Sequence, residues 1–487
     1  MTESLKNKAI NGATWKTIER LFRQIIQFTI GIVLARMLSP SDYGIIGMLT
    51  IFFALATTFQ DSGFGSALIQ KKNRTNEDYS TVFFFNVGAS WIIYAILFFA
   101  APYIADFYKT PILTDVTRVS AITFIINGLT GVQLAKLNIE LKFKTISIVS
   151  ILGQIITGIV GVTFAYYGWG VWALVYQGII SSCVMGFVIW ICSGWHPSLV
   201  FSQNSFKSLF KFGGNMMLSN IINQIYNNIY TIVIGKVFNP TLVGMYNRAN
   251  AYAHLPSNTV MDMALTVNFP ILATIQDDNE RLLHAYKKLL RVPFFILYPI
   301  LTAIIVMATP LIHCMIGDKW LPCVPMLQIL CVSYMFVPLN AVNLNLLYVK
   351  GRSDLSLRLE FIKKPLGIMI LIASIPLGIN WMIAGRALYS MLVYCLNCYY
   401  TKKILNYGIL DQIKILLPIY INIIISGTVT FLFIACFDIN VIKLLLGSTI
   451  FALIYLSIAY IKKDESLQDI IEIVKNKFLK TGKRHGI

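Results

Sequence analysis

The chain has 487 residues, of which 56% are hydrophobic and only 13% are charged. A soluble protein of this length needs far more polar surface to cover its core, so this balance excludes a water-soluble protein. Basic residues number 40 against 22 acidic ones, which gives a formal net charge of +18. Apolar runs of roughly 20 residues, the length that a helix needs to cross a bilayer, recur along the sequence without the alternation typical of barrel strands. The composition predicts an all-α polytopic membrane protein.

The apolar runs predict about 14 transmembrane helices in chain order. The N-terminal stretch MTESLKNKAINGATW has no small-residue cleavage site, so we expect it to be retained ahead of the first helix. The predicted spans are 18–38, 43–69, 81–104, 116–136, 145–167, 170–192, 208–235, 242–272, 292–316, 322–349, 358–377, 381–401, 412–436 and 441–461.

Basic residues are divided unevenly between the two sides of this arrangement. Most of the 40 Lys and Arg residues lie in alternate loops and in the C-terminal tail. Because positively charged loops stay in the cytoplasm, both termini are predicted to be cytoplasmic. A basic rim facing anionic lipid headgroups accounts for the net charge, so we expect membrane lipids and no nucleic acid as partners. The tail carries apolar residues at helical spacing and is predicted to lie along the inner membrane surface: Leu467, Ile470, Ile471 and Val474.

The first span carries charged residues on one face. Lys16, Arg20, Arg23 and Gln27 are separated by 4, 3 and 4 residues, and this spacing places them on the same side of a helix. A charge exposed to lipid costs about 2.5–3.5 kcal/mol, so such residues normally face a cavity or a partner. Glu19 precedes Arg23 by one helical turn and is placed to pair with it. The alternative is that the basic side chains extend to the cytoplasmic headgroups.

A turn between the first two spans recurs 200 residues later. VLARMLSPSDYG at 33–44 matches VIGKVFNPTLVG at 233–244 in its Val, Pro and Gly positions and in one basic residue, Arg36 and Lys236. The copies lie an even number of spans apart, so they have the same orientation and form a parallel repeat. We predict two six-helix lobes and two C-terminal helices, with the binding cleft between the lobes. The predicted boundaries are 1–192 and 208–405 for the lobes, 193–207 for a cytoplasmic linker, 406–461 for the last two helices and 462–487 for the basic amphipathic cytoplasmic tail.

The seventh and eighth spans carry amide and aromatic side chains at helical spacing. Amides offer paired donors and acceptors to sugar hydroxyls, and aromatic rings pack against the apolar faces of sugars. We therefore predict that two polar faces bind a glycan, with hydrogen bonding between helices as the alternative for any single Asn. The residues are Asn220, Asn223, Gln224, Asn227 and Tyr230 in the seventh span and Asn247 and Asn250 in the eighth.

Acidic residues within the predicted spans are candidates for ion coupling. They are Glu19, Asp61 and Asp262. The sequence contains no P-loop and no acidic pair on a large outer loop, and its CxxC pair, Cys395 and Cys398, has no second pair. We therefore expect no enzymatic activity, no metal and no cofactor. H⁺ or Na⁺ is the candidate coupling ion.

Five stretches carry a resemblance to a known family. They are LARMLSPSDYGIIGML at 34–49, DSGFGSALIQKKN at 61–73, YGWGVWALVYQ at 167–177, IGKVFNPTLVGMYNRANAYAHLP at 234–256 and DDNERLLHAYKK at 277–288. Together they resemble the polysaccharide transporter family, the Wzx-like oligosaccharide flippases of the multidrug/oligosaccharidyl-lipid/polysaccharide exporter superfamily. None is a catalytic motif, and the specificity lies in the order and spacing of the set.

The resemblance implies that undecaprenyl-diphosphate-linked oligosaccharide repeat units cross the bacterial inner membrane by alternating access, for O-antigen, capsule or exopolysaccharide synthesis. It implies lipid-linked oligosaccharide as a partner, with the polysaccharide polymerase and chain-length machinery as further candidates. It also implies a cationic cavity for the diphosphate, a role that Arg20, Arg23, Arg248 and Lys16 could fill here. Guanidinium groups suit it because they bind phosphate oxygens bidentately and stay charged.

The chain departs from the family at Asn227 and Asn228, where members often carry an acidic residue. The alternative function is an ion-coupled multidrug exporter of the same superfamily. Such an exporter would favour cationic substrates and therefore an acidic cavity, whereas the basic face of the first span favours an anionic substrate.

Overall fold

A computed structural model describes residues 2–61, 64–71 and 73–472. It describes the side chains at these positions except 2–14, 16–18, 21, 61, 66, 204–205, 207–219 and 262–271. Throughout the described residues the regular structure is helical. The chain divides into two compact units, Met1–Asn247 and Arg248–Ile487. The lobe boundaries expected from the sequence remain predictions.

The first unit consists of ten helices and the beginning of an eleventh. Helix α10 packs against α2, α3 and α4, and α1 packs against α8. The bounds are α1 (Thr2–Met37), α2 (Pro40–Asp61), α3 (Phe64–Gln70), α4 (Asn76–Tyr108), α5 (Leu113–Ser120), α6 (Ile122–Gly128), α7 (Gly131–Ile139), α8 (Phe143–Tyr166), α9 (Val171–Ser193), α10 (Gln203–Val237) and α11 (Pro240–Thr274).

The second unit contains the rest of α11 and seven further long or short helices. A large apolar cluster, which includes the fully buried Tyr286, Phe294 and Tyr298, joins α12, α14, α16, α17 and α18. The bounds are α12 (Asn279–Val306), α13 (Ala308–Ile316), α14 (Val324–Val349), α15 (Ser353–Ser374), α16 (Ile379–Leu405), α17 (Ile409–Ala435) and α18 (Asn440–Ile461), with 3₁₀ turns at Asp318–Cys323 and Ile375–Leu377.

Every predicted span has a helical counterpart. Nine helices among the described residues are long and apolar enough to cross a membrane, and the bent pair α5–α7 makes up to ten. Helices α1, α10, α11 and α15 contain between 22 and 36 residues, carry more polar side chains, and correspond to the remaining predicted spans. The prediction of an all-α polytopic membrane protein is confirmed, and the count of about 14 spans is consistent with it.

The fourth predicted span, 116–136, is broken rather than continuous. Leu113–Gly128 and Gly131–Ile139 are bent by 41° relative to each other. At the break, the indole nitrogen of Trp190 donates a hydrogen bond of 2.8 Å to the Leu129 carbonyl, so this backbone oxygen has a side-chain partner from α9. A Cβ atom at Gly128 would lie 2.1 Å from Ser90 Oγ, which shows how closely α6 approaches α4.

The two copies of the repeated turn lie against each other. In each copy, a helix ends and the next one begins at a proline, Pro40 or Pro240, a residue well suited to the first helical position. A Cβ atom at Gly44 would lie 1.7 Å from the Pro240 carbonyl oxygen, and one at Gly244 would lie 1.9 Å from the Pro40 carbonyl oxygen. The two segments that the sequence identifies as a repeat therefore also contact each other reciprocally in the structure.

The start of the C-terminal tail docks onto the second unit. Residues 465–472 are helical, and Leu467 and Ile470 pack against the apolar cluster. Lys288 Nζ lies 2.8 Å from Asp469 Oδ1, and Arg291 forms ion pairs with Glu465 and Asp469. Ile471 is exposed, and Val474 lies outside the described residues. The expected position of the tail on the membrane surface remains a prediction.

Candidate functional site

The first helix presents arginine outward and turns its carboxylate towards the protein. Glu19 is only 13% exposed, and its Oε1 lies 3.8 Å from Arg23 Nη1. Its other oxygen accepts a hydrogen bond of 3.2 Å from Ser147 Oγ on α8. The pairing predicted from the spacing of Glu19 and Arg23 is confirmed. Arg23 itself is 53% exposed, and Arg20 is also an exposed residue, whereas the Glu19 carboxylate is held against α8.

Helix α10 carries the first predicted glycan face. Asn220, Asn223 and Asn227 are all exposed, whereas Gln224 and Tyr230 are half-buried. Their spacing puts the three exposed amides on one side of the helix. This face can offer donors and acceptors in pairs.

Asn247, about two turns into α11, already has a partner. Thr231 Oγ1 on α10 donates a hydrogen bond of 3.1 Å to Asn247 Oδ1. The Asn247 amide lies where Gly47 leaves room for it, because a Cβ atom at Gly47 would be 2.3 Å from Asn247 Nδ2. Asn247 therefore forms a hydrogen bond between helices and lies close to the crossing of the two copies.

In the second unit, Asn250 belongs to a closed polar triangle. Arg386 Nη1 donates to Asn250 Oδ1 and Arg386 Nη2 donates to Tyr334 Oη, each at 2.9 Å. Tyr334 Oη in turn donates to Asn250 Oδ1 at 2.9 Å. The Arg386 guanidinium carbon also lies 5.1 Å from the centre of the Tyr334 ring. This triangle joins α11, α14 and α16.

Sequence reasoning missed two members of this triangle, Arg386 and Tyr334. The available signal was a single arginine about a turn and a half inside the predicted span 381–401, since a charge within a span normally marks a cavity or a partner. Asn250 makes the hydrogen bonds between helices that were the alternative to glycan binding, and its contact with a glycan stays a prediction. Arg248, proposed for the diphosphate, is half-buried at the start of the second unit.

The remaining predicted site residues are only partly described. The side chains of Lys16, Asp61 and Asp262 lie outside the described residues, although all three positions are helical. Of the acidic candidates, Glu19 alone can be placed, between Arg23 and Ser147. Among the described side chains, no group of three or more His, Cys, Asp or Glu residues is arranged to hold a metal ion.

The fold and these residues define a polytopic helical membrane protein whose spans carry exposed guanidinium and amide groups. Comparison with known families identifies it further. Residues 33–325 match the model of the polysaccharide biosynthesis protein family, and the chain belongs to that family. The resemblance to polysaccharide transporters seen in the sequence is thereby confirmed.

Individual relatives span most of the chain. It is 26% identical over 361 residues to the teichuronic acid biosynthesis protein TuaB of Bacillus subtilis, covering 72% of this chain and 74% of TuaB. It is 27% identical over 369 residues to the lipopolysaccharide biosynthesis protein WzxC of Escherichia coli, covering 74% of each. The structure superposes on that of the lipid II flippase MurJ in an inward closed conformation with a TM-score of 0.76, covering 93% of this chain and 99% of MurJ. At 17% identity, the last comparison establishes a shared fold.

Proposed function

We propose that this protein moves lipid-linked oligosaccharide repeat units across the bacterial inner membrane by alternating access, for the synthesis of a surface polysaccharide. Its family and the names of TuaB and WzxC support a role in polysaccharide synthesis. Its fold, shared with a lipid II flippase, supports movement of a lipid-linked sugar. It acts as a transporter rather than an enzyme, with both termini in the cytoplasm, and its coupling ion is H⁺ or Na⁺.

The observation that carries this proposal is the exposure of the arginines on α1. A diphosphate cannot enter hydrocarbon unaided, because desolvation of its charges is too costly. Exposed guanidinium groups can replace the lost water with charge-assisted hydrogen bonds to the phosphate oxygens. Ser147 holds Glu19 against α8, so the carboxylate orients Arg23 without occupying the exposed side of the helix. Arg20, Arg23, Arg248 and Lys16 are the diphosphate ligands in this proposal.

The glycan would contact the amide faces. Asn220, Asn223 and Asn227 offer exposed donors and acceptors, and Gln224, Tyr230, Asn247 and Asn250 complete the proposed set. Glu19, Asp61 and Asp262 are the proposed coupling sites. The polysaccharide polymerase and chain-length machinery would receive the product on the other side of the membrane.

The test is reconstitution of the purified chain in vesicles with a fluorescent lipid-linked oligosaccharide, with transbilayer movement scored with and without H⁺ and Na⁺ gradients. Arg23→Ala should lower the transport rate about tenfold or more, because a charge-assisted contact is worth about 1.5–3 kcal/mol. Arg23→Lys should retain part of the rate, since it keeps the charge but loses the bidentate geometry.

Arg281→Ala is the matched control, because Arg281 is 78% exposed and also basic but lies on α12. Its rate should equal that of the unmodified protein. In cells, Arg23→Ala should accumulate lipid-linked repeat units on the cytoplasmic side and lose surface polysaccharide. Normal polysaccharide from a well-expressed Arg23→Ala variant would overturn the diphosphate assignment.

The multidrug exporter alternative makes the opposite prediction. It requires movement of cationic drugs, which the exposed arginines of α1 would repel. Transport of a cationic dye by the reconstituted protein, without movement of the lipid-linked oligosaccharide, would favour the exporter.

A further inference from the structure

An apolar groove lies between α2 and α4 in the first unit. It has a volume of about 640 Å³, and its walls are Phe52 to Phe59 on one side and Phe84 to Ile104 on the other. Every side chain that lines it is apolar. The volume falls within the range of about 300–1,000 Å³ that is usual for ligand sites.

The groove has a floor of small or buried residues and a rim of bulky exposed ones. Gly88 forms part of the floor, and a Cβ atom added there would meet nothing within 4 Å. Ala56 is also on the floor and is only 6% exposed. The rim includes Ile92 and Ile96, which are 62% and 61% exposed. Gly88, Ile92 and Ile96 are each four residues apart, so the groove follows one face of α4 along its axis.

The length of the groove limits what can occupy it. Twenty residues separate Phe84 from Ile104, and at about 1.5 Å per residue they extend over about 30 Å, the full thickness of a bilayer hydrocarbon core. A phospholipid acyl chain covers only one leaflet, or about half of that depth. A polyisoprenoid chain is long enough to run through both leaflets. The absence of polar lining groups excludes the diphosphate and the glycan themselves.

We infer that this groove binds the polyisoprenoid chain of the lipid carrier. The inference rests on the proposed function, which supplies a substrate with such a chain. The diphosphate must change leaflets during transport, whereas the hydrocarbon chain is soluble at every depth. A groove that extends through both leaflets can hold the chain in place while the headgroup moves. It also selects for long carrier lipids over ordinary phospholipids.

The test is photolabelling of the full-length protein in phospholipid nanodiscs by a long-chain polyprenyl diphosphate with a diazirine in the middle of its chain and no sugar. Label should appear in peptides that contain 52–59 and 84–104. Gly88→Leu should lower it about tenfold by filling the groove, and Gly88→Ala should have an intermediate effect. Both variants should fold, because the added atoms enter open space and replacing glycine favours the helix.

Gly178→Leu is the matched control. Gly178 is also an exposed glycine within a helix, α9 of the same unit, and a Cβ atom there would likewise meet nothing within 4 Å. Its labelling should equal that of the unmodified protein. Unlabelled long-chain polyprenyl phosphate should compete for the label, and an equal amount of added dioleoyl phosphatidylglycerol should not.

The outcomes separate this inference from the proposed function, because labelling requires neither a glycan nor transport. Label outside the groove, equal labelling of Gly88→Leu, or equal competition by the phospholipid would each overturn the groove as a carrier site. If labelling follows the expected pattern but the unmodified protein moves no lipid-linked oligosaccharide, the groove is supported and the transport proposal fails. If transport is normal in both the unmodified protein and Gly88→Leu, the transport proposal stands, and the inference that the groove holds the carrier chain during transport is overturned.

Discussion

The two copies of the repeated turn, residues 33–44 and 233–244, share a backbone arrangement but differ in the side chains that support it. In both, a proline begins the second helix and a glycine four residues later contacts the carbonyl oxygen of the other copy's proline. Because each glycine makes room for the other copy, the contact is reciprocal. The backbone crossing is the shared feature of the two copies.

The helix caps differ between the copies. In the first, Ser39 and Asp42 form a reciprocal box: the Asp42 carboxylate accepts from the Ser39 backbone N–H at 2.8 Å, and Ser39 Oγ accepts from the Asp42 N–H at 3.2 Å. In the second, Asn239 Oδ1 accepts a single bond of 2.9 Å from the Leu242 N–H. Both arrangements satisfy a free N–H group at a helix start, so different residues fulfil one requirement.

One pair of equivalent positions has diverged in a way that matters for the site. Gly47 and Asn247 are the equivalent positions three residues beyond the two copies, and they face each other. Gly47 leaves space because it has no side chain, and the Asn247 amide lies next to that space. The repeat thus provides a symmetric crossing, and the difference just beyond it introduces a polar group that we propose for glycan binding.

Substitution of the crossing glycines should have the largest effect. Gly44→Ala or Gly244→Ala should each cost about 1–3 kcal/mol of stability, because the new methyl group would overlap a backbone carbonyl that cannot move alone. Both changes disturb one contact, so the double variant should lose less than the sum of the single losses. The measurement is thermal unfolding in detergent followed by tryptophan fluorescence.

Gly178→Ala is the control for the crossing glycines, since its added methyl meets open space, and it should keep or slightly raise the Tm. Strictly additive losses in the double variant would show that the two glycines support separate contacts. That result would contradict the reciprocal crossing.

The repeat and the helices could be predicted because they depend on local patterns. Runs of apolar residues determine the spans, and the spacing of Glu19 and Arg23 determines their pairing on one helix. The break in the fourth span was not predictable in this way. The residues packed against the break, Trp190 at Leu129 and Ser90 at Gly128, come from other helices.

The polar contacts of the site depend on residues that are distant in sequence. Ser147, which holds Glu19, is 128 residues away from it, and Arg386 is 136 residues from Asn250. A single sequence identifies each of these as a polar residue in an apolar span. It does not identify the residue that each one contacts. The same limit applies to the ion pair between Lys288 and Asp469. From the sequence alone, each residue is expected to be a charge exposed to water, because their contact depends on where the tail lies.

Substitution of the caps should have the second-largest effect. Ser39→Ala and Asn239→Ala should each cost about 1 kcal/mol, because each leaves an N–H group at a helix start without its side-chain partner. Ser39→Gly is the control and should cost only a few tenths of a kcal/mol, since glycine is tolerated at this position. The same unfolding assay measures the losses. A loss at only one of the two positions would show that the copies do not share this requirement.

Substitution at the diverged pair should have the smallest effect on stability. Gly47→Ala would place a methyl group against the Asn247 amide, a flexible group that can turn away. The expected loss is about 0.6 kcal/mol, the usual value of one hydrogen bond between membrane helices, here the Thr231–Asn247 bond. The double variant Gly47→Ala, Asn247→Ala removes the conflict and should unfold no earlier than Gly47→Ala alone.

Transport by these variants separates the two roles of Asn247. If the amide only joins α10 to α11, Gly47→Ala and Asn247→Ala should lower the Tm slightly and leave the transport of lipid-linked oligosaccharide unchanged. If it also contacts the glycan, Asn247→Ala should lower the transport rate by more than its small stability loss explains, and Asn247→Gln should restore part of it. A methyl group at Gly47 would meet the Asn247 amide first and Val243 Cγ1 second, at 2.3 and 3.0 Å. If the transport defect of Gly47→Ala comes from the displaced amide, the double variant should show no further loss beyond that of Asn247→Ala.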